Sequence, residues 1–75
     1  MTQLEFDALR TGDLIDRKST GRRLIVTVTN RGHVWADNLK NGRPFGRGYR
    51  VTLEGYEVAP STNARLVDAH AGREA

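Results

Sequence analysis

The chain has 75 residues, no cysteine and a formal net charge of +3 at pH 7. This length allows a single domain with a shallow core, and the absence of cysteine excludes disulfides and thiolate metal centres as sources of its stability. No apolar run is long enough to span a membrane, and acids interrupt the first ten residues where a signal peptide needs an apolar centre. We therefore expect a soluble protein of the reducing cytoplasm.

The beginning of the chain predicts a lead-in segment and a first strand. Before the turn signal at 11–13, three apolar side chains lie on either one helical turn or an extended stretch that plugs the core: Leu4, Phe6 and Leu9. A strand is expected over 14–17. It ends at 18–21, where small polar residues and glycine favour a turn.

The strongest strand signal lies over 22–29, where apolar and polar residues alternate. This alternation predicts a half-buried antiparallel strand with Leu24, Val26 and Val28 on its buried face. The Asn-Arg-Gly sequence at 30–32 predicts a tight hairpin, because asparagine and glycine tolerate the positive φ angles that such turns need.

A further strand is expected over 33–38, and the sequence allows two orientations for it. In one, Val34 and Ala36 point into the core, and Trp35 lies on the outer face together with His33. In the other, Trp35 is the largest residue of the core. The sequence leaves both orientations open.

Glycine and proline dominate 39–48, which we therefore expect to form a long exposed loop carrying Phe45. The strand pattern resumes over 49–53 with the odd-numbered residues inward. A last short strand is expected over 56–58, and Pro60 ends it.

The composition changes after Pro60, so we expect one domain over 1–60 and a C-terminal tail over 61–75. The tail is predicted to be a short helix or disordered, with Ser61 or Asn63 available as an N-cap. Because its last residues have little to bury, we expect the tail to be dispensable for folding.

Positive charge is concentrated in the middle of the chain. Between Arg10 and Arg50 there are ten basic residues and three acids, which gives +7, whereas the remaining residues sum to −4. The electric field of such a positively charged segment attracts polyanions or acidic proteins, although charged residues also keep small domains soluble.

The order of turns and strands resembles the SH3-like small barrels, including their KOW and Tudor-like branches. The resemblance rests on Gly-Asp-Leu-Ile at 12–15, on the glycine and strand at 21–28, and on Leu-Glu-Gly-Tyr-Glu-Val at 53–58. It implies an all-β fold, a small five-stranded antiparallel barrel. The short, arginine-rich, cysteine-free composition is also similar to that of accessory proteins of actinobacterial phages.

The sequence favours a protein that is not an enzyme. On a strand, His33 and Asp37 would lie roughly 13 Å apart at about 3.3 Å per residue, which is too far for a catalytic pair. A metal site needs three or four converging ligands, and the glycine-rich stretch at 42–48 lacks the lysine and hydroxyl of a P-loop. We therefore expect no cofactor, no metal and no small-molecule substrate.

Nucleic-acid binding is the sharper functional hypothesis. Binding to a phosphate backbone needs spaced arginine or lysine residues, and binding to single strands also needs aromatic side chains on which bases can stack. The predicted site consists of arginines in or beside glycine-rich turns with one aromatic anchor: Arg22, Arg23, Arg43, Phe45, Arg47 and Arg50. Secondary candidates are Arg31, His33 and Trp35.

Protein recognition is the competing hypothesis. A partly open barrel leaves an edge strand whose free N–H and C=O groups can pair with another chain, and arginine with tryptophan or tyrosine is typical of interface hot spots. An acidic host protein would suit the same basic surface, and edge pairing would also allow a symmetric dimer. The sequence leans to nucleic acid on charge alone.

Overall fold

The computed structural model describes the backbone of residues 1–74 and the side chains of residues 1–46 and 48–68. In this part of the chain the elements are, in order, α1 (Gln3–Asp7), β1 (Leu14–Arg17), β2 (Arg23–Asn30), β3 (His33–Lys40), β4 (Arg43–Arg50), β5 (Tyr56–Val58) and α2 (Pro60–Glu74). The strands form one antiparallel sheet in the order β4-β3-β2-β1-β5, so β4 and β5 are its edges. Neither helix within residues 1–74 is long and apolar enough to cross a membrane.

The predicted antiparallel β-fold is confirmed, but the sheet is open, because its two edge strands do not pair within the described residues. The sheet is nevertheless strongly curled. The guanidinium of Arg17 on β1 lies 5.4 Å from the ring centre of Tyr49 on β4, although two strands separate these elements in the sheet. Bulges in the β2–β3 and β3–β4 pairs account for this curvature, since each bulge bends its strand. The small five-stranded antiparallel barrel that the resemblance implied is therefore corrected to a curled, open sheet of five strands.

The core lies on the inner face of the curled sheet. Its buried side chains come from the segment after α1, from β1 to β3, from the residue that follows β4 and from β5: Leu9, Ile15, Leu24, Val26, Val34, Ala36, Val51 and Tyr56. The lead-in segment is helical from a capping box formed by Thr2 and Glu5, and it contributes Phe6 to the rim of the core while Leu4 stays exposed.

A bulge at Thr27 changes the face on which Val28 lies. Leu24 and Val26 are buried as predicted, each 1% exposed, but Val28 is 48% exposed. The register of β2 against β3 shifts by one residue between Val26 and Val28, so that Val28 stands opposite Trp35. The prediction that Val28 is buried is wrong, because strict alternation cannot reveal an inserted residue.

β3 takes the first of its two possible orientations. Val34 and Ala36 are buried, and Trp35 lies on the outer face. On the inner face Ala36 stands between Val26 of β2 and Tyr49 of β4. The largest aromatic residue of the chain is therefore left outside the core.

The long loop predicted over 39–48 is wrong, since this region is a hairpin of two eight-residue strands. Asn41 and Gly42 have φ angles of 54° and 76°, and Lys40 pairs with Arg43 across them. Two residues with positive φ form the type I′ turn that matches the twist of the flanking strands. The Asn-Gly pair was a hairpin signal that the following proline and glycines obscured.

β4 contains proline and glycine, which are unusual inside strands. It can accommodate them because it is an edge strand. Pro44, which cannot donate a backbone hydrogen bond, is tolerated at such an edge. The three residues 46–48 stand opposite Asp37 alone, which makes a bulge. β4 ends at Arg50, so the strand predicted over 49–53 is corrected as well.

The start of α2 is tied to the sheet. Thr62 is 2% exposed, and its hydroxyl accepts a hydrogen bond from the amide of Leu14 at 2.9 Å and donates one to the Leu14 carbonyl at 2.7 Å. Arg65 contacts both carboxylate oxygens of Asp13 and donates to the carbonyl of Ala8 at 2.9 Å. These contacts give a reason to expect that the C-terminal segment stabilises the domain rather than being dispensable.

Replacing Thr62 by valine should lower the free energy of unfolding by about 1–3 kcal/mol, because the shape is kept while the buried amide of Leu14 loses its partner. Thr62→Ser keeps the hydroxyl and should lose less. Urea denaturation of the two variants measures the difference. A larger loss for Thr62→Ser than for Thr62→Val would show that the methyl group of Thr62, and not its hydroxyl, provides most of the stabilisation.

Candidate functional site

Six of the side chains predicted as a site, together with Lys40 and Val28, which were not predicted, fall into two groups toward opposite ends of β3. The first group surrounds the turn between β3 and β4, and we name it the hairpin-end cluster: Arg22, Lys40, Arg43 and Phe45. The second group lies on the outer face near the turn between β2 and β3, and we name it the Trp35 patch: Val28, His33, Trp35 and Arg50. At about 3.3 Å per residue, Trp35 and Lys40 are roughly 16 Å apart along β3.

The hairpin-end cluster places positive charge around an exposed aromatic ring. Phe45 is 56% exposed, and the Nζ of Lys40 lies 4.8 Å from its ring centre. Arg22 directly precedes β2, two residues before Leu24, which pairs with Asn38 near the end of β3. Among the side chains that the structure describes, the cations of this cluster have no carboxylate within 4.0 Å. Lys40 was missed because the sequence suggested a loop there.

The Trp35 patch is a row of side chains that crosses three strands. Trp35 lies opposite Val28 on β2 and Arg50 on β4, and it is 40% exposed. Nη2 of Arg50 donates a long hydrogen bond of 3.4 Å to Nδ1 of His33, which requires an imidazole that is unprotonated at Nδ1. The patch therefore combines an apolar surface with a guanidinium that its histidine neighbour does not neutralise.

Gly48 lies beside one edge of the indole and places no side chain there. A Cβ at this position would lie 4.0 Å from Cε3 of Trp35 and 3.5 Å from Oδ1 of Asp37, which are ordinary contact distances. Gly48 is not among the glycines with positive φ. A Cβ could therefore stand beside the ring without strain.

Arg23 carries a compensated charge. Its Nε lies 3.0 Å from Oδ1 of Asp16 on the neighbouring strand β1. The hydrogen bond from Arg23 to Asp16, together with the negative charge of Asp16, raises the pKa of Arg23 above its ordinary value. Arg23 therefore contributes less to the surrounding field than the sequence suggested.

The structure separates Arg43 from Arg50, which the sequence had grouped in one site. They lie at the two ends of β4, with Arg50 beside Trp35 and Arg43 at the turn. Arg31 is exposed and has a φ of 45° in the β2–β3 turn, which confirms the predicted hairpin. The side chain of Arg47 lies outside the described residues.

The negative charge near these groups is limited. Of the three acids between Arg10 and Arg50, Asp13 is paired with Arg65 and Asp16 with Arg23. The third, Asp37, is half-buried beside Gly48 and adds a negative group at one edge of the Trp35 patch.

The arrangement offers anion-binding guanidinium groups and aromatic faces. Among residues 1–46 and 48–68, no three His, Cys, Asp or Glu side chains converge as metal ligands would. A cleft of about 220 Å³ between α1 and the β2–β3 turn, which Phe6, Arg31 and His33 help to line, is smaller than the pockets that usually hold small ligands. No protein family, curated protein or solved structure matches this chain.

Proposed function

We propose that this protein is a non-enzymatic module that binds nucleic acid through the Trp35 patch and the hairpin-end cluster. The observation that carries the proposal is the cross-strand pairing of the exposed Trp35 with Arg50, which sets an aromatic ring beside a guanidinium on the sheet surface. Nucleic acids present the two complementary groups, phosphates and base faces, in one molecule.

Electrostatics support the same proposal. The segment between Arg10 and Arg50 carries +7, and two of its three acids are held in ion pairs. The positive charge that remains at both ends of the β3–β4 hairpin attracts a polyanion. A separation of roughly 16 Å corresponds to about five nucleotides of a stacked strand, which is within the range that small β-folds bind.

We also propose that the fold is a variant of the SH3-like small barrel in which the edge strands stay apart. The pairing of β1 with both β2 and β5 and the strong curl of the sheet support this relation. So does the one-turn link at 53–55 before β5.

Protein recognition through the exposed β4 edge is the second candidate. An eight-residue edge strand can pair with a strand of another chain, including a second copy of this one or an acidic host protein. However, β4 carries Pro44, a bulge at 46–48 and three arginines, and these are the features that keep edge strands from pairing. The β4 edge therefore supports protein recognition less strongly than the outer face of the sheet supports nucleic-acid binding.

Removing the arginines proposed to bind phosphates should reduce the salt dependence of binding. For Arg43→Gln and Arg50→Gln, we expect the slope of log K against log salt concentration to become shallower by about 0.7–0.9 for each phosphate that the variant no longer binds. Fluorescence anisotropy of a labelled oligonucleotide over a range of salt concentrations measures this slope. Both arginines are exposed, so stability should change by less than about 0.5 kcal/mol.

Arg23→Gln is the matched control, because Asp16 already pairs with this arginine. We expect its salt slope to equal that of the wild type. If Arg43→Gln and Arg50→Gln also keep the wild-type slope and affinity, these surfaces do not contact nucleic acid and the proposed site is wrong.

A further inference from the structure

The bulge in β2 brings an apolar neighbour, Val28, to the exposed Trp35. Trp35 is the single tryptophan of the chain, and in so small a domain its burial would add a large apolar area to the core. The sheet instead turns it outward, and the shift at Thr27 brings Val28 out of the core to stand opposite it. Two exposed apolar side chains therefore stand opposite each other on the outer face, with the polar side chains of His33 and Arg50 beside them.

The neighbours of Trp35 indicate which chemical groups a ligand of this surface would carry. Arg50 stands directly opposite the indole, and within the described side chains it has no carboxylate within 4.0 Å. Its contact with His33 orients the guanidinium without neutralising it. A matching occupant carries a planar group for the ring and an anion for the guanidinium, close together. A nucleotide carries both groups in one unit.

We propose that the Trp35 patch binds a base of single-stranded nucleic acid, stacked on the indole, with a neighbouring phosphate on Arg50. This inference rests on the nucleic-acid function proposed above and names its substrate class. The bases of a duplex are covered by their neighbours, so a tryptophan on a sheet surface can stack only on an unpaired base.

Asp37 sets the orientation of the bound strand. Its carboxylate lies beside Gly48, on one edge of the indole, where it would repel a phosphate. Arg50 belongs to the same cross-strand row as Trp35 and offers the positive charge. The base therefore covers the ring, and its backbone follows the Arg50 side of the patch.

Intrinsic fluorescence gives a specific readout, because Trp35 is the only tryptophan. We would titrate the full chain with oligothymidylate, with an abasic deoxyribose-phosphate strand of the same length, and with a duplex of that length. We expect oligothymidylate to quench Trp35 and to bind about 5- to 150-fold more tightly than the abasic strand. The duplex should bind without quenching.

Equal affinity for oligothymidylate and the abasic strand, without quenching, would overturn the stacking inference while leaving nucleic-acid binding in place. If none of the three strands binds at low salt, both the stacking inference and the proposed function are wrong. Trp35→Ala should lose most of the preference for oligothymidylate over the abasic strand, whereas Trp35→Phe should keep a larger part of it. A full preference for oligothymidylate in Trp35→Ala would also overturn the inference.

A second pair of variants does not depend on removing the indole. Gly48→Gln and Gly48→Glu have the same shape, and the space beside Gly48 accepts a Cβ at ordinary contact distances. We expect Gly48→Glu to bind oligothymidylate several-fold more weakly than Gly48→Gln, because it adds a negative charge beside the stacked base. Equal binding by the two variants would show that the strand does not pass Trp35.

Discussion

Replacing Val26 by aspartate should unfold the domain. Val26 is buried in the middle of β2, where it stands opposite Ala36 and exchanges backbone hydrogen bonds of 2.8 Å with Gly12 and Asp13. An ionised carboxylate without a partner at this position costs several kcal/mol, and a domain of this size has only about 5 kcal/mol in total. Loss of the β-sheet circular dichroism signal and of a cooperative thermal transition would report the unfolding.

Val28→Asp is the matched control, with the same substitution two residues further along the strand. Because the bulge at Thr27 exposes Val28, we expect this variant to fold with a loss below about 1 kcal/mol. If Val28→Asp is as damaging as Val26→Asp, then β2 alternates without a bulge, and Val28 does not belong to the Trp35 patch.

Removing Arg65 should have the second largest effect. Its guanidinium reaches both carboxylate oxygens of the buried Asp13 and the carbonyl of Ala8, and it thereby ties α2 to the segment before β1. Arg65→Ala leaves the carboxylate of Asp13 without its counter-ion. Since the arginine side chain is 30% exposed, we expect a loss of about 2–3 kcal/mol, below the range for fully buried pairs. Denaturant unfolding measures this loss.

Arg23→Ala provides the comparison, because its ion pair with Asp16 lies on the surface. Its denaturation midpoint should stay close to that of the wild type. Truncation after Pro60 should cost at least as much as Arg65→Ala, since it removes Thr62 as well. If the truncated chain is as stable as the wild type, the C-terminal segment is dispensable for folding, as the sequence predicted.

Local pattern was sufficient for the strands over 14–17 and 56–58 and for the strong strand at β2, because alternation and turn residues act over a few positions. Local pattern failed to predict the features that depend on contacts between residues far apart in the sequence. The bulge at Thr27 is an insertion that pairing with β3 stabilises, and the glycines of β4 become strand residues only beside Asp37. The anchoring of α2 rests on Thr62 and on residues close to it, whose partners lie far away in the chain.

The candidate site shows the same division. The sequence proposed arginine and aromatic residues as candidates, yet it could not decide the side on which Trp35 lies, since a one-residue change of register reverses it. It also grouped Arg43 with Arg50, because the region between them was predicted to be a loop. A loop can bring its two ends close together, whereas the extended strand β4 holds them apart. The pairing of Arg23 with Asp16 depends on the β1–β2 register.

Filter binding of the wild-type protein to mixed-sequence DNA and RNA, from low to physiological salt, tests nucleic-acid binding most directly. We expect saturable binding whose log K falls linearly with log salt concentration, by about 0.7 for each phosphate bound on a single strand. Single strands should bind more tightly than duplexes. A protein that is folded by circular dichroism and yet retains none of these nucleic acids at the lowest salt concentration would contradict the proposed function.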